Sequence, residues 1–251
     1  MNNLFNTLSS FIPISLEEMD HVKLLDRIDT KFVIHEDQLT EYLAAISTDY
    51  NLLVIEGKML HAYETLYFDT PGFHLYQMHH NGLLTRYKLR CRKYVNSGIS
   101  FFEVKSKTNT SRTVKNRIQL ESMPETLSES LNNYISEHTP GEHQNYIPVL
   151  RVFFDRLTLV NKKAKERLTF DLNLRYEHDG IVKKIEKIVI VEVKQEKHSM
   201  SPFRQLMKLD RQRENYLSKY CIGVTCLNSG LKMNNFKQKI KSLNKLGYDI
   251  H

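Results

Sequence analysis

Residues 85–107, TRYKLRCRKYVNSGISFFEVKSK, alternate charged and apolar side chains over two runs. The runs are separated by Asn96-Ser97-Gly98, and small turn-forming residues between two such runs predict a β-hairpin. Successive side chains of a strand point to opposite faces, so one face of this hairpin carries Arg86, Lys88, Arg90, Arg92, Glu103, Lys105 and Lys107. The cations on that face repel each other unless water or an anion neutralises them. The chain must therefore fold so that this face meets solvent or an anionic ligand.

The same alternation recurs in other predicted strands, at residues 26–35, 112–120, 148–160, 166–177 and 181–194. Their charged faces carry Lys31, Lys115, Arg117, Arg156, Arg167, Glu192 and Lys194. A single sheet face of this kind is commonly just solvated. Its recurrence on at least six strands favours one shared charged surface.

Apolar stripes and capping residues predict helices at residues 15–25, 37–47, 73–80, 124–137, 202–213 and 231–246. Residues 218–224 are predicted as a final strand or loop. Helices need apolar surface to pack against, so we assign the apolar strand faces outward, beneath the helices, and the charged faces inward. The predicted fold class is α+β, a closed antiparallel β-barrel with surrounding helices and a tunnel lined by Lys and Arg.

A single domain is predicted over residues 1–251, because the strand pattern resumes unchanged after the weakly patterned segment 138–146. Residues 1–24 would form a helical extension at the N-terminus. Residues 231–246 would form a basic amphipathic helix, whose lysines are typical of a solvated surface.

Lys and Arg number 36 against 29 acidic residues, a net charge of +7, so the expected partners are anionic: nucleic acid, phosphate chains, nucleotides or acidic membranes. No GxxxxGK[ST] loop occurs, which excludes a P-loop as the phosphate site. A nucleic-acid binder is disfavoured because Tyr87 and Phe102 fall on the face opposite the cations. No apolar run reaches the roughly 18 residues of a membrane span, and the three cysteines lack metal-site spacing. We expect a cytoplasmic protein; a membrane partner stays open.

A tunnel lined by both Arg and Lys suits a phosphate chain, since guanidinium groups bind phosphate oxygens bidentately and lysines act as point charges. Carboxylates in such a tunnel either pair with cations or hold a divalent metal. For Glu103 the ion pair is favoured.

The ordered motifs DRIDTKFVI, YFDTPGFHLYQMHHNG, RYKLRCRKY, FFEVKSK, VKNRI, FFDRLTL, ERLTFDLNL, IVEVK and LSKYCIG resemble the VTC domain, the catalytic domain of eukaryotic vacuolar polyphosphate polymerase. That family belongs to the triphosphate tunnel superfamily, and the resemblance spans about residues 25–223. It implies a polymerase that moves the terminal phosphoryl group of ATP onto inorganic polyphosphate and releases ADP. It also implies a divalent metal cofactor, Mn²⁺ or Mg²⁺.

By this resemblance the catalytic residues are Lys31, Arg90, Arg92, Lys105, Arg156 and Arg167, and Glu192 is the metal ligand. It adds Lys115, Ser218 and Lys219 as phosphate-binding residues. Shared strand faces extend the phosphate-binding set to Arg86, Lys88, Glu103, Lys107, Arg117 and Lys194. The chain departs from the family at Phe154, where a tyrosine is frequent, and at Tyr216, where the eukaryotic enzyme has a further lysine.

Two alternative activities remain. A tunnel triphosphatase would hydrolyse inorganic triphosphate or a nucleoside triphosphate, but hydrolytic relatives tend to carry an early ExExK pair, where this chain has RIDTK with only Asp29. A non-catalytic polyphosphate or nucleotide sensor would lose the metal-binding carboxylate, whereas Glu192 is present.

Overall fold

A computed structural model of the protein describes residues 2–20, 27–109, 113–142, 144–197, 199–216 and 218–244. Within these ranges the α-helices are α1 (Asn2–Leu8), α2 (Leu16–Asp20), α3 (Glu36–Ile46), α4 (His74–His80), α5 (Glu129–His138), α6 (Pro202–Leu209), α7 (Lys219–Leu227) and α8 (Lys237–Asn244). A 3₁₀ turn, Asn234–Phe236, precedes α8. No helix among the described residues is long and apolar enough to cross a membrane.

The strands are β1 (Ile12–Ile14), β2 (Arg27–His35), β3 (Tyr50–Leu53), β4 (His61–Asp69), β5 (Arg86–Tyr94), β6 (Ser100–Lys107), β7 (Thr113–Leu120), β8 (Ile147–Asn161), β9 (Glu166–His178), β10 (Ile181–Ile185) and β11 (Ile188–Glu196). They form one sheet in the order β2-β11-β9-β8-β4-β5-β6-β7, with β1, β3 and β10 added at its margins. All pairs are antiparallel except β1 with β3. The predicted β5–β6 hairpin is confirmed, and Arg90 lies opposite Glu103 in it.

The α+β class is correct, but the predicted closed barrel is wrong for the described residues: the sheet curls into a half-barrel that ends at β2 and β7, and these two strands are not paired. The backbone N–H of Asn215 donates to the carbonyl of Lys31 at 2.8 Å. The free edge of β2 is thus occupied, at this point, by the segment that leads into α7. Period-two alternation predicts which face a side chain takes but not which edges pair.

Several predicted boundaries also differ. Residues 181–194 form two strands, β10 and β11, separated at Lys187, whose φ is +62°. Helix α5 begins later than predicted, where the Ser128 hydroxyl accepts from the N–H of Leu131 at 3.3 Å, and α6 ends at Leu209. The capping box of α2 is confirmed, since Ser15 and Glu18 exchange hydrogen bonds of 2.6 and 3.2 Å.

The two chain termini lie only partly within the described residues. The predicted helical extension 1–24 contains α1, β1 and α2, and its residues 1 and 21–24 lie outside the described ranges, as does residue 25 of the predicted first helix. The predicted helix 231–246 is the 3₁₀ turn followed by α8, and residues 245 and 246 lie outside. Residue 112, the predicted start of β7, and His198 are also outside.

Helices cover the convex side of the curled sheet, as the apolar strand faces predicted. Around Phe203 and Leu43, helices α1, α3 and α6 pack on the outward residues of β2, β8, β9 and β11. Around Leu75 and Leu131, helices α4 and α5 pack on β4, β5 and β6. The charged residues of these strands are therefore directed to the concave side.

The prediction of a strand or loop at residues 218–224 is wrong, because Ser218 caps helix α7, which follows from Lys219. Helix α7 packs on the concave side against Leu150 and Tyr176, so part of that side is apolar. At Gly223 a Cβ atom would lie 2.4 Å from Tyr176 Cδ1 and 2.6 Å from Leu150 Cδ2, so glycine permits the helix to approach the sheet this closely. The β-branched residues of KYCIGVTC suggested a strand, but burial on all sides outweighs such weak propensities.

Candidate active site

The concave side of the sheet gathers most of the charged residues singled out by the strand pattern. Ten cations and three carboxylates form what we call the basic concave face: Lys31, Lys88, Arg90, Arg92, Lys105, Lys115, Arg156, Arg167, Lys194, Lys219, Glu103, Asp171 and Glu192. The curl of the sheet brings strands together that are distant in the sheet order. Burial is the main cause that lowers the pKa of Lys88 on β5, and the charge of Lys31 on β2 lowers it further. The arrangement is strongly positive and partly buried.

Glu103 is fully buried and holds two cations of this face. Nη2 of Arg90 lies 2.6 Å from Glu103 Oε2, and the ammonium group of Lys115 contacts Oε1. Burial alone would raise the pKa of Glu103, but Arg90, Arg92 and Lys115 lower it to about 2. Glu103 thus forms the ion pair that the sequence favoured over a metal site.

Asp171, on β9, was not among the predicted site residues, although it shares the face of Arg167. Arg156 donates to both of its oxygens, at 2.7 and 2.9 Å, and Lys219 of α7 contacts Oδ2. Burial opposes ionisation, yet Arg156 and Lys219 hold the pKa of Asp171 well below its usual range. The bidentate pair fixes the Arg156 guanidinium group in one orientation.

Glu192 is likewise shared between two lysines. Lys31 Nζ lies 3.3 Å from Glu192 Oε1, and Lys194 contacts Oε2. Although burial disfavours its charge, Lys194 and Lys31 keep the pKa of Glu192 well below the usual value. Glu192 is therefore an anionic oxygen ligand on the basic concave face.

Four cations of this face have no carboxylate within ion-pair distance among the described residues: Lys88, Arg92, Lys105 and Arg167. Burial, with neighbouring cations, lowers the pKa of Lys88 to about 7 and that of Lys105 to about 8. Nε of Arg167 is buried and has no hydrogen-bond partner among the described residues. Buried cations without counter-charges are costly, and a bound polyanion would remove that cost.

Four predicted residues lie away from this cluster or are used otherwise. Arg86 donates to the carbonyl of Leu83 at 2.6 Å, and Lys107 lies opposite Arg86 at the end of the hairpin. Arg117, on the edge strand β7, lies over the ring of Phe101 at 4.6 Å. Ser218 caps α7, since its hydroxyl accepts from the N–H of Cys221 at 3.2 Å. Their predicted phosphate contacts stay predictions.

An aromatic row on the same concave side was missed in the sequence. It consists of Phe154, Tyr63, Tyr94 and Phe101, on the neighbouring strands β8, β4, β5 and β6, with ring centroids 5.1, 5.0 and 6.0 Å apart. Period-two counting could have found it, because Tyr94 has the parity of Arg92, and Phe101 that of Glu103. Tyr87 and Phe102 have the opposite parity and face outward.

A buried carboxylate outside the basic concave face, that of Asp69, holds helix α7 in place. Asp69, at the end of β4, accepts from the N–H groups of Leu75 and Tyr76 at 2.8 Å each and from the hydroxyl of Tyr220. Tyr220 also stacks on Tyr67 with centroids 5.0 Å apart. These contacts anchor the helix that supplies Lys219.

Among the described residues no group of three or more His, Cys, Asp or Glu side chains is arranged to hold a metal. Mg²⁺ and similar ions are often bound by one or two carboxylates together with substrate phosphates. Glu192 fits that pattern as a single ionised ligand. To bind a metal, one of its carboxylate oxygens would have to give up its contact with Lys31 or Lys194.

The model of one protein family, the VTC domain, matches residues 26–228. The chain belongs to the VTC domain family. The match runs from the start of β2 to the end of α7 and so includes the whole basic concave face. Helices α1, α2 and α8 lie outside the part that defines this VTC domain.

Other relatives show only distant structural likeness to this chain. No curated protein matches this VTC domain. Solved structures that resemble it include a candidate adenylate cyclase from Vibrio parahaemolyticus, with 13% identity, 79% of this chain and 97% of that chain covered, and a TM-score of 0.46. A candidate adenylyl cyclase from Hippeastrum with a dominant triphosphatase activity has 13% identity, coverage of 83% and 98%, and a TM-score of 0.48. Values this low carry no functional argument.

Proposed function

We propose that this VTC domain is a metal-dependent polyphosphate polymerase, which transfers the terminal phosphoryl group of ATP to a growing inorganic polyphosphate chain. The observation that carries the proposal is the excess of cations, most of them partly buried, over carboxylates on the basic concave face, with four cations lacking a counter-charge among the described residues. A chain of closely spaced phosphates supplies anionic charge at several points simultaneously, as such a face requires.

The carboxylates of the face orient the cations that would touch substrate. Glu103 holds Arg90 and Asp171 holds Arg156, so both guanidinium groups keep a fixed direction before substrate binds. Fixed donors stabilise charge that develops in a transition state without the cost of reorganisation. Arg92 and Arg167, which have no carboxylate partner in the described part of the chain, would bind phosphate oxygens directly.

Phosphoryl transfer asks mainly for positioning and charge neutralisation. The nucleophile would be a terminal phosphate oxygen of the polyphosphate chain, which is already anionic and needs no strong general base. The basic concave face would align this oxygen with the terminal phosphorus of ATP, and its cations would offset the charge on the departing ADP.

Glu192 would hold the divalent metal together with phosphate oxygens. When bound there, such an ion would supply neutralisation of phosphate charge. The identity of the metal, Mn²⁺ or Mg²⁺, comes from the family resemblance.

Incubation of the protein with ATP and Mn²⁺, following ADP, free phosphate and long polyphosphate together, tests this function. ADP accompanied by polyphosphate is expected, and Glu192→Ala should abolish both. Glu192→Gln keeps the shape of the side chain, and Glu186→Ala, at an exposed position, is the matched control. ADP with free phosphate would instead identify a triphosphatase, and triphosphate binding without turnover would identify a sensor.

The pH dependence of substrate binding follows from the buried lysines. Lys88, with a pKa of about 7, and Lys105, with a pKa of about 8, are protonated below these values and neutral above them. Inorganic triphosphate should therefore bind more weakly as pH rises from 6 to about 9, and binding near pH 8 should take up protons. Calorimetry in buffers of different ionisation enthalpy measures this uptake.

Lys88→Arg provides the comparison for the pH experiment, because an arginine side chain remains charged over this range. The variant should bind triphosphate with less dependence on pH and with less proton uptake than the unsubstituted protein. Identical pH profiles for the two proteins would show that Lys88 does not titrate at the ligand.

A further inference from the structure

The aromatic row has a place on the concave side that packing alone does not explain. Phe154 is buried, whereas Tyr63, Tyr94 and Phe101 are half-buried. The row ends at the β5–β6 turn, where Val95 and Ile99 are 45% and 41% exposed. Aromatic and apolar surface thus reaches the end of an otherwise charged sheet face.

The row directly adjoins the cations of the basic concave face. The guanidinium carbons of Arg92 and Arg156 lie 5.6 and 5.0 Å from the Tyr63 ring centroid. Along β5, Arg92 and Arg90 follow Tyr94 at about 7 and about 14 Å, given a rise of about 3.4 Å per residue. A ligand lying along this strand would meet rings first and guanidinium groups next.

Helix α7 packs at the opposite end of the same face. Tyr220 contacts Tyr67 and Asp69, which lie at the end of β4, whereas Tyr63 lies near its start. The two ends of the concave side therefore differ in chemistry, with an aromatic rim at the β5–β6 turn and a helix at the other end.

Within the row, Tyr94 and Phe101 are the rings best placed for a ligand. Their planes meet at 87°, so a flat base would stack on one ring and contact the other with its edge. The Tyr63 and Phe154 rings stack on each other at an interplanar angle of 8° and are flanked by Arg92 and Arg156. The guanidinium carbon of Arg117 lies 4.6 Å from the ring centroid of Phe101. An aromatic ring beside a guanidinium group is a favourable surface for a flat nucleobase.

We propose that Tyr94 and Phe101 form a stacking site for the base of a nucleoside triphosphate, whose phosphates extend along β5 toward Arg92 and Arg90. This inference rests on the proposed function and deepens it, because it assigns the nucleotide to the β5–β6 end of the basic concave face. Stacking is tolerant of base identity, so ATP and GTP should bind with similar affinity.

Comparison of a ligand with a base and a ligand without one tests the site. Binding of a non-hydrolysable ATP analogue and of inorganic triphosphate is measured by calorimetry for Tyr94→Leu and Phe101→Leu. Each substitution should weaken binding of the analogue about tenfold, the effect of losing one base–aromatic contact. Binding of triphosphate should not change. Tyr134→Leu, on α5 at the convex side, is the control, and melting temperatures report on folding.

Two results would contradict a base-binding role of Tyr94 and Phe101. Equal weakening of both ligands would make the two rings merely structural, and no weakening of either would place the base elsewhere; both results would overturn the stacking site. These results would leave the proposed function intact as long as triphosphate binds to the unsubstituted protein. Failure of that protein to bind either ligand would overturn the proposed function as well.

Discussion

Arg90→Ala is expected to lower the rate of polyphosphate synthesis by a factor of about 10²–10³, or about 3–4 kcal/mol of transition-state stabilisation. Arg90 lies in the interior of the basic concave face, and Glu103 holds it at 2.6 Å. Burial lowers the pKa of Arg90, but Glu103 raises it above its ordinary value. The guanidinium group is therefore charged at every working pH. The loss should appear in kcat, because an oriented donor acts chiefly on charge that develops during transfer.

Arg175→Ala is the matched control for this loss. Arg175 lies on the opposite side of the sheet, over the ring of Phe153 at 3.8 Å, and does not belong to the basic concave face. Arg90→Lys should lie between the two, because it keeps the charge but not the bidentate geometry. Unchanged turnover of a folded Arg90→Ala protein would mean that this face is not the site of transfer.

The sequence pattern was sufficient to predict the faces of the strands. Alternation placed Arg90, Arg92, Glu103 and Lys105 on one side of a hairpin, and the structure brings them together there. Side-chain parity depends only on local backbone geometry, which is the reason why it can be counted from the sequence.

The features that were missed depend on contacts between distant segments. Nothing in β2 itself shows that Asn215, more than 180 residues later, bonds to Lys31 at its free edge. Helix α7 has a strand-like composition, and its helical state is supported by burial against Leu150 and Tyr176 around Gly223. Such tertiary contacts outweigh local propensity and leave no periodic signal.

The candidate site shows the same division between what can and cannot be counted. The cations were predictable one strand at a time, but the partner of each was not: Asp171 is matched by Arg156 and Lys219 from β8 and α7. Which cations remain without a carboxylate among the described residues, as Lys88 and Lys105 do, depends on the whole arrangement. The unpaired cations are the ones that most directly indicate an anionic ligand.

Asp171→Ala should lower the free energy of unfolding by about 3–5 kcal/mol, because it leaves Arg156 and Lys219 buried without their carboxylate. The side chains of both cations are only 14% exposed, and that of Asp171 is 2% exposed, so solvent screens the lost interaction little. The pKa of Asp171 is lowered in the folded protein. Its ion pairs therefore stabilise the fold fully above the ordinary carboxyl pKa, and this stabilisation is lost as pH falls from there through the lowered pKa. Urea unfolding near neutral pH measures the difference.

Asp155→Ala is the control for this stability loss. The carboxylate of Asp155, on β8, accepts from only one side chain among the described residues, that of Asn173 at 2.7 Å, so its removal should cost much less. If the loss in Asp171→Ala arises from uncompensated cations, inorganic triphosphate should restore part of it, because the ligand supplies the missing negative charge. An equal loss in the two variants, with no recovery on adding triphosphate, would contradict this explanation. Recovery in Asp171→Ala but not in Asp155→Ala would show that the carboxylate and the bound phosphate serve the same cations, so that Asp171 holds Arg156 and Lys219 in place until substrate arrives.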